Sequence, residues 1–235
     1  MAYRQRDQQE KREGRRFPEP RSRPRRRTQP ITPKREKTKF SLKLFGKWDS
    51  SIQEKDPSLV NYINLEPRYL PRSAGINRAR FHKSKMHIVE RLALYMMVPG
   101  HIGKRHRLTS GKLAGGLMTT LNAIEKALGI IEQREKKNPI EVLVNAIENA
   151  AIREEIISYR LGSITAREAV ITAPQRRIDK TLRWFAQGAY RKAFGKKKGL
   201  AEALADEIMF AYKNSNESMA VRERERIERE AEGSR

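Results

Sequence analysis

The chain has 235 residues, with 51 Lys and Arg, 28 Asp and Glu and no cysteine, so its formal charge is +23. The lack of cysteine excludes disulfides, thiolate zinc sites and a thiol nucleophile. No apolar run reaches the roughly 18 residues of a membrane-spanning helix, and the N-terminus lacks the apolar region of a signal peptide. The charge indicates a polyanionic partner, nucleic acid first and an anionic membrane surface second.

The first 39 residues differ in composition from the rest of the chain. They contain 15 Lys or Arg against 5 Asp or Glu, several prolines and almost no large apolar residues. Such a segment cannot bury enough apolar surface to offset its ordering entropy, so we predict a disordered basic arm over 1–39. The run RSRPRRR at 21–27 favours an arm that follows a phosphate backbone, and a solvated tail without function is the alternative.

The next segment, residues 40–81, is predicted to be extended and to wrap the surface of the main domain. DPSL at 56–59 and EPRYLP at 66–71 are typical of turns and polyproline-like backbone. FSLKLFGKW at 40–48 alternates briefly between apolar and polar residues, which predicts a short strand there.

A helical period dominates from residue 82 to the end, and apolar residues recur every three or four positions. Asn138, Pro139 and Glu141 have the spacing of a capped helix start. Thr172 or Ala173 is predicted to cap the later helix that starts at Pro174, and Thr172 with Gln175 has the better capping chemistry. A basic loop at 99–111 separates the first two helices. The predicted helices cover 83–97, 113–135, a stretch from Pro139, a stretch from Pro174, about 200–213 and about 218–232.

Between the third and fourth helices, β-branched residues gather around Gly162 and Ser163. This pattern predicts a β-hairpin at about 155–173, with a loop longer than two residues. A basic two-stranded ribbon can enter a groove or cross a single nucleic-acid strand. Tyr159 could stack on a base there, or could simply pack against its neighbours. The residues alone therefore predict a mainly helical nucleic-acid-binding protein with one protruding hairpin.

Catalytic and metal-binding patterns are not found in the sequence. The four histidines form two pairs spaced by five residues, which does not place two ligands on one face of a helix. Phosphate-binding loops, nucleophile elbows and dinucleotide fingerprints are also missing. We therefore expect no enzyme activity, no metal and no cofactor.

Phosphate binding requires cationic side chains held at the spacing of backbone charges. Arg176, Lys180 and Arg183 lie at positions i, i+4 and i+7 of the fourth helix and form one predicted basic stripe. Arg176 and Arg177 also lie at that helix's N-terminus, which attracts anions. The candidate binding residues are Lys83, Lys85, Lys104, Arg105, Arg107, Lys112, Arg153, Arg160, Arg167, Arg176, Arg177, Lys180, Arg183, Arg191 and Lys192.

Several segments together resemble the small-subunit ribosomal protein seven family in its archaeal and eukaryotic form. The resemblance covers about 40–235 in order and leaves out the arm. It is carried by HIVERL (87–92), NPIEVLVNAIENAAIRE (138–154), AVITAPQRRIDKTLRWF (169–185), LAEALADEI (200–208), the closing REAEGSR and the entry FGKWD…DPSL…YINLEP (45–67).

The resemblance implies six helices with a β-ribbon between the third and fourth. It also implies a cytoplasmic primary binder of the 3′ major domain of small-subunit rRNA, which nucleates assembly of the head. The candidate cations above would then bind rRNA. The ribbon would approach exit-site tRNA and mRNA, and the expected neighbours are the head and platform proteins numbered nine and eleven. The residues implied near the exit site are Tyr159, Arg160, Leu161, Gly162, Ser163 and Arg235.

Two departures from the family and two rival functions accompany this interpretation. The loop at 99–111 is longer than usual, and Ala173 stands where the family commonly has Ser before the proline. An architectural DNA-binding protein, or another structured-RNA-binding protein, would share the steep salt dependence of an rRNA binder. A membrane-surface protein is less favoured, since no helix pairs a basic face with exposed Trp and Phe anchors.

Overall fold

Residues 42–52, 54–73, 79–100 and 115–235 are described by a computed structural model, and all belong to one unit, Phe40–Arg235. The predicted arm and residues 101–111 of the basic loop lie outside the described residues. In chain order the elements are α1 (Ile88–Met97), α2 (Leu117–Glu135), α3 (Pro139–Ala150), β1 (Glu154–Leu161), β2 (Ile164–Ile171), α4 (Pro174–Ala193), α5 (Leu200–Tyr212) and α6 (Met219–Glu232).

The predicted architecture of the described part is confirmed: it is mainly helical, with the hairpin between the third and fourth helices. Helix α4 packs against α1, α5 and α6, and α5 also contacts α2 and α3. The apolar side chains that recur every three or four residues form one core, because they lie on one face of each helix. Leu92, Leu128, Leu143, Phe185 and Ile208 are completely buried in it.

The starts of α1 and α2 differ from their predictions, and α2 begins at Leu117 rather than at 113, with Gly116 as its N-cap. Helix α1 begins at Ile88 rather than at 83, because residues 82–85 form a 3₁₀ turn that follows Phe81 at a φ of 64°. The Nδ1 atom of His87 caps α1 by accepting a hydrogen bond from the Val89 amide at 3.2 Å. Burial lowers the pKa of His87 to about 4, so the ring is neutral near pH 7 and can accept this bond.

Helix α4 is not capped by Thr172, the favoured one of the two predicted cap residues. Its N-cap residue is Ala173, which makes no side-chain capping bond, and the buried hydroxyl of Thr172 has no hydrogen-bond partner among the described residues. Pro174 at the first helical position compensates in part, because it has no amide hydrogen that would need an acceptor. In contrast, the predicted cap of α3 is confirmed: Asn138 Oδ1 accepts from the Ile140 amide at 3.1 Å.

The hairpin loop has two residues and is shorter than predicted. Leu161 pairs with Ile164, so only Gly162 and Ser163 remain in the loop. Gly162 has a φ of 63° and Ser163 a negative φ, which is the pattern of a type II′ turn with glycine at its first central position. Pairing extends to the end of both strands, and on β2 the β-branched Ile164 and Thr165 follow the loop directly.

The segment before the helices forms a tight turn at the place of the predicted strand. An isolated bridge joins Leu44 to Trp48 around Gly46, which has a φ of 74° and lies under the Tyr69 ring. A side chain at Gly46 would bring its Cβ within 3.0 Å of that ring. Leu44 and Trp48 are buried in the helical core, and the Trp48 Nε1 donates to Glu132 Oε2 at 2.9 Å.

The fully buried carboxylate of Glu207 joins three helices. Its Oε1 accepts from Ser218 Oγ at 2.8 Å and from the Met219 amide at 2.5 Å, and its Oε2 accepts from Lys192 Nζ at 2.6 Å. A buried charge is stable only when it is paired and hydrogen-bonded, and here a lysine and the N-terminus of α6 satisfy it. Glu207 therefore fixes the start of α6 against α4 and α5.

Replacement of Gly188 by alanine tests how rigid this arrangement is. A Cβ at Gly188 would lie 2.8 Å from the Glu207 Cδ, and the hydrogen bonds around Glu207 leave its side chain no room to move. We expect Gly188→Ala to lower the free energy of unfolding by about 1–3 kcal/mol in urea titrations.

Gly129 provides the matched control, since it also lies inside a helix but nothing would lie within 4 Å of its Cβ. Gly129→Ala should raise the free energy of unfolding by about 0.5–1 kcal/mol. Equal stabilisation by both substitutions would show that Glu207 is not held in place.

Candidate nucleic-acid interface

The predicted basic stripe on α4 is neutralised in part by β1. The Glu155 carboxylate accepts from Arg176 Nε at 2.6 Å and Nη2 at 2.8 Å, and from Lys180 Nζ at 2.8 Å. Burial alone would raise the pKa of Glu155, but the hydrogen bonds from Arg176 and Lys180 outweigh it and hold the pKa below its ordinary value. One carboxylate thus fixes two of the three predicted stripe residues and joins the ribbon to α4.

Three further candidates also hold the fold together. Arg177 donates to Ser58 Oγ at 2.6 Å and Asp56 Oδ2 at 3.0 Å, and so ties α4 to the segment that precedes the helices. Lys83 donates to Asp179 Oδ2 at 2.8 Å, and Lys192 binds Glu207. These side chains have a structural role whether or not they also reach RNA.

A second group of candidates has no ion-pair partner among the residues that the structure describes. Arg160, Arg167 and Arg191 are exposed, and Arg183 is half-buried on α4. Cations without a nearby carboxylate keep their full charge for an external anion. This group consists of Lys85, Arg153, Arg160, Arg167, Arg183 and Arg191.

The remaining candidates fall elsewhere in the chain. Lys104, Arg105, Arg107 and Lys112 lie outside the described residues. Arg235 pairs with the Glu154 carboxylate, which ties the C-terminus to the base of β1.

The ribbon has two chemically different faces near its turn. Arg160 lies opposite Thr165, and Arg167 lies opposite Ser158. Because side chains alternate along a strand, both arginines lie on one face as diagonal neighbours, with Cα atoms about 7–8 Å apart. This face is polar and cationic at the end of the ribbon.

The opposite face of the ribbon end is mainly apolar, although Glu168 lies on it opposite Ile157. It carries Ile157, Tyr159 and Ile164, which are 49%, 44% and 70% exposed. Exposed apolar side chains grouped on one face are typical of an interaction surface. The sequence indicated that the hairpin carries arginines. Which side chains share a face depends on the pairing register of the two strands, and the two-residue loop sets that register.

A second basic cluster, not predicted from the sequence, lies at the junction of α2 and α3. Lys43, Lys47, Lys136 and Lys137 surround a cavity of about 540 Å³, together with Asp49, Glu132, Trp48 and Asn138. Lys47 pairs with Glu125 at 2.8 Å, and Lys137 donates to Tyr212 Oη at 3.0 Å. In the sequence, only the adjacent Lys136 and Lys137 before Asn138 indicated this cluster. Lys43 lies close to them because of the turn at Gly46, which the sequence did not predict.

Within the described part of the chain, no group of three or more His, Cys, Asp or Glu side chains could hold a metal ion. None of the helices described is long and apolar enough to cross a membrane.

Comparison with known proteins identifies the family of this chain. Residues 60–235 match the family described as ribosomal protein S7p/S5e. The chain belongs to this family. The small ribosomal subunit protein uS7 of Nanoarchaeum equitans is 42% identical over 198 residues, which is 83% of this chain and all of the relative.

Two further archaeal relatives with the same name give similar values. That of Methanococcus maripaludis strain C6 is 44% identical over 83% of this chain and all of the relative. That of Archaeoglobus fulgidus is 43% identical over 84% of this chain and 97% of the relative.

The S7p/S5e assignment confirms the resemblance found in the sequence and its archaeal type. The chain is a structural protein of the small ribosomal subunit and not an enzyme, and this agrees with the cytoplasmic location expected from the sequence.

Replacement of Glu155 by glutamine tests the bridge between ribbon and α4. At pH 7 we expect Glu155→Gln to lower the free energy of unfolding by about 1 kcal/mol, because the charge partner of Arg176 and Lys180 is lost. The lowered pKa of Glu155 means that its contribution is present above the unfolded value of 4.5 and disappears as the pH falls through the folded value. In urea titrations the difference from wild type should therefore shrink below pH 4.5.

Glu168 is the matched control, since it is an exposed ribbon glutamate with no ion pair among the described residues. Glu168→Gln should leave the free energy of unfolding unchanged at every pH. A Glu155→Gln difference that persists undiminished at pH 2.5 would contradict the proposed ion pairs.

Proposed function

We propose that this protein binds the 3′ major domain of small-subunit rRNA as a primary binder and thereby nucleates assembly of the head. The observation that carries the proposal is the group of cations that have no carboxylate partner among the described residues, on a chain with a net charge of +23. Neutralisation of rRNA phosphates by these side chains would release counter-ions, which drives association. The family assignment favours rRNA over DNA as the polyanion.

The three segments predicted from the sequence have different parts in this proposal. The helical domain at 82–235 supplies the fixed cations and is the specific rRNA-binding part. The segment at 40–81 orients α4 through the contacts of Arg177 with Asp56 and Ser58. The basic arm at 1–39 adds phosphate contacts that depend on its charge alone.

The ribbon's two faces support a double role at the exit site. The face with Arg160 and Arg167 suits the backbone of mRNA or exit-site tRNA, since diagonal arginines offer two forked donor groups to phosphates. The face with Ile157, Tyr159 and Ile164 suits a protein neighbour, and the platform protein numbered eleven is the proposed partner. The head protein numbered nine is the other proposed protein neighbour.

A salt titration of binding to a transcript of the 3′ major domain tests the rRNA proposal, with duplex DNA and an unrelated structured RNA as competitors. The rRNA transcript should bind more tightly by a factor of roughly 10³ or more. The salt slope is the slope of the logarithm of affinity against the logarithm of salt concentration. Arg191→Gln should reduce its magnitude by about 1, because one phosphate contact is lost.

Arg226→Gln is the control for that variant, because Arg226 is exposed on α6 but already pairs with Glu223 and Glu230. It should leave the slope unchanged. If the rRNA transcript, duplex DNA and the unrelated RNA compete equally at every salt concentration, binding depends on charge alone, and specific rRNA recognition is overturned.

Paired substitutions on the two faces test the ribbon. The double variant Arg160→Gln with Arg167→Gln should lower exit-site tRNA and mRNA binding by reconstituted subunits. It should also reduce the salt slope of that binding by about 2, because two phosphate contacts are lost. The double variant Ile157→Thr with Ile164→Thr should leave binding to naked rRNA unchanged but weaken incorporation of the platform protein. Each double variant is the control for the other, so the same defect in both would contradict a two-sided ribbon.

A further inference from the structure

A cavity of about 390 Å³ opens beside α1, at its contact with α4. Leu94, Tyr95, Met97 and Val98 form its apolar wall, and Leu94 and Val98 are 40% and 45% exposed. This volume lies in the range of about 300–1,000 Å³ that is usual for sites of small organic groups. The apolar wall is thus open to a ligand from outside the core.

The polar side of this α1–α4 cavity carries excess positive charge. Arg91 is completely buried and its Nη2 donates to Asp179 Oδ1 at 3.0 Å, while Lys83 Nζ donates to Asp179 Oδ2 at 2.8 Å. Asp179 therefore shares its single negative charge between two cations. Arg183 lies four residues further along the same face of α4, also lines the cavity, and has no carboxylate partner in the described ranges.

Arg91 also has a donor that the fold does not use. Its Nη1 donates to the Tyr62 carbonyl at 2.7 Å, but its buried Nε has no hydrogen-bond partner among the described residues. Buried cationic side chains are normally hydrogen-bonded and matched in charge. The three cations of the cavity against one carboxylate leave a positive potential that a nearby anion would offset.

We propose that the α1–α4 cavity holds one unstacked nucleotide of the bound RNA, with its base on the apolar wall and its phosphate facing Arg183 and Lys83. A nucleotide combines a flat apolar ring with an adjoining negative charge, which matches the two sides of the cavity. Proteins commonly recognise RNA through bases that leave the stack and pack on apolar or aromatic side chains. This inference rests on the proposed rRNA binding and names one contact within it.

The test uses the full chain and a 3′-major-domain transcript that contains 4-thiouridine. Val98→Trp would fill the cavity without changing the charge, and we expect it to lower rRNA affinity about tenfold. Crosslinks of the wild-type chain should map to residues 94–98 and should disappear in Val98→Trp. Arg183→Gln leaves the apolar wall intact but removes the proposed phosphate contact, so it should weaken the crosslinks to residues 94–98, and retained crosslinks would overturn the site if Val98→Trp does not fold.

Val60→Trp is the matched control, because Val60 is 42% exposed and does not line the cavity. It should bind rRNA like the wild type. Retained affinity in Val98→Trp would overturn the nucleotide site while rRNA recognition stands, whereas a wild-type chain without preference for rRNA over duplex DNA would overturn the proposed function itself.

Two other occupants would give different results, and each would overturn the nucleotide site. If another part of this chain filled the cavity, Val98→Trp would lower the melting temperature of the free protein and leave rRNA affinity unchanged. If a neighbouring protein filled it, naked rRNA would bind normally and only the incorporation of that protein into subunits would suffer.

Discussion

Shared carboxylates along α4 are the interaction on which the rest of this structure depends. Glu155 of β1 holds Arg176 and Lys180 near the start of the helix, and Asp179, which lies between these two residues, binds Lys83 and the buried Arg91. Glu207 of α5 binds Lys192 in the last turn. A chain with 28 acidic and 51 basic residues repels itself when it becomes compact. Carboxylates that join different elements reduce this repulsion where cations meet.

The same scarcity of carboxylates explains where the external binding surface lies. Once α4 is anchored, Arg153, Arg160, Arg167 and Arg191 have no described carboxylate within ion-pair distance, and they lie at the surface. A fold stabilised by pairing all its charges would have little attraction for RNA. This fold pairs the cations that position helices, and the cations without a described partner supply most of the charge available to the proposed RNA partner.

The sequence predicted the elements better than it predicted their contacts. Helices and ribbon follow from local patterns, and Asn138 caps α3 as expected because capping involves only the next few residues. Of the two residues predicted to cap α4, the N-cap is Ala173 and not the chemically better Thr172, and the strand predicted at 40–48 was wrong, because two residues with positive φ make a turn there. The sequence could not pair Arg177 with Asp56, which lies 121 residues earlier, because only the tertiary fold brings them together.

Pairing with a carboxylate does not remove a cation from the candidate interface. Arg176 uses Nε and Nη2 for Glu155, and its side chain remains 56% exposed, so Nη1 is still available to a phosphate. The carboxylate also fixes the guanidinium in one orientation, and a donor that is already ordered loses less conformational entropy when it binds. Glu155 weakens the net charge at the start of α4, but it also pre-orients the side chain there. The ion pairs of α4 and a phosphate-binding role for the same arginine are therefore compatible.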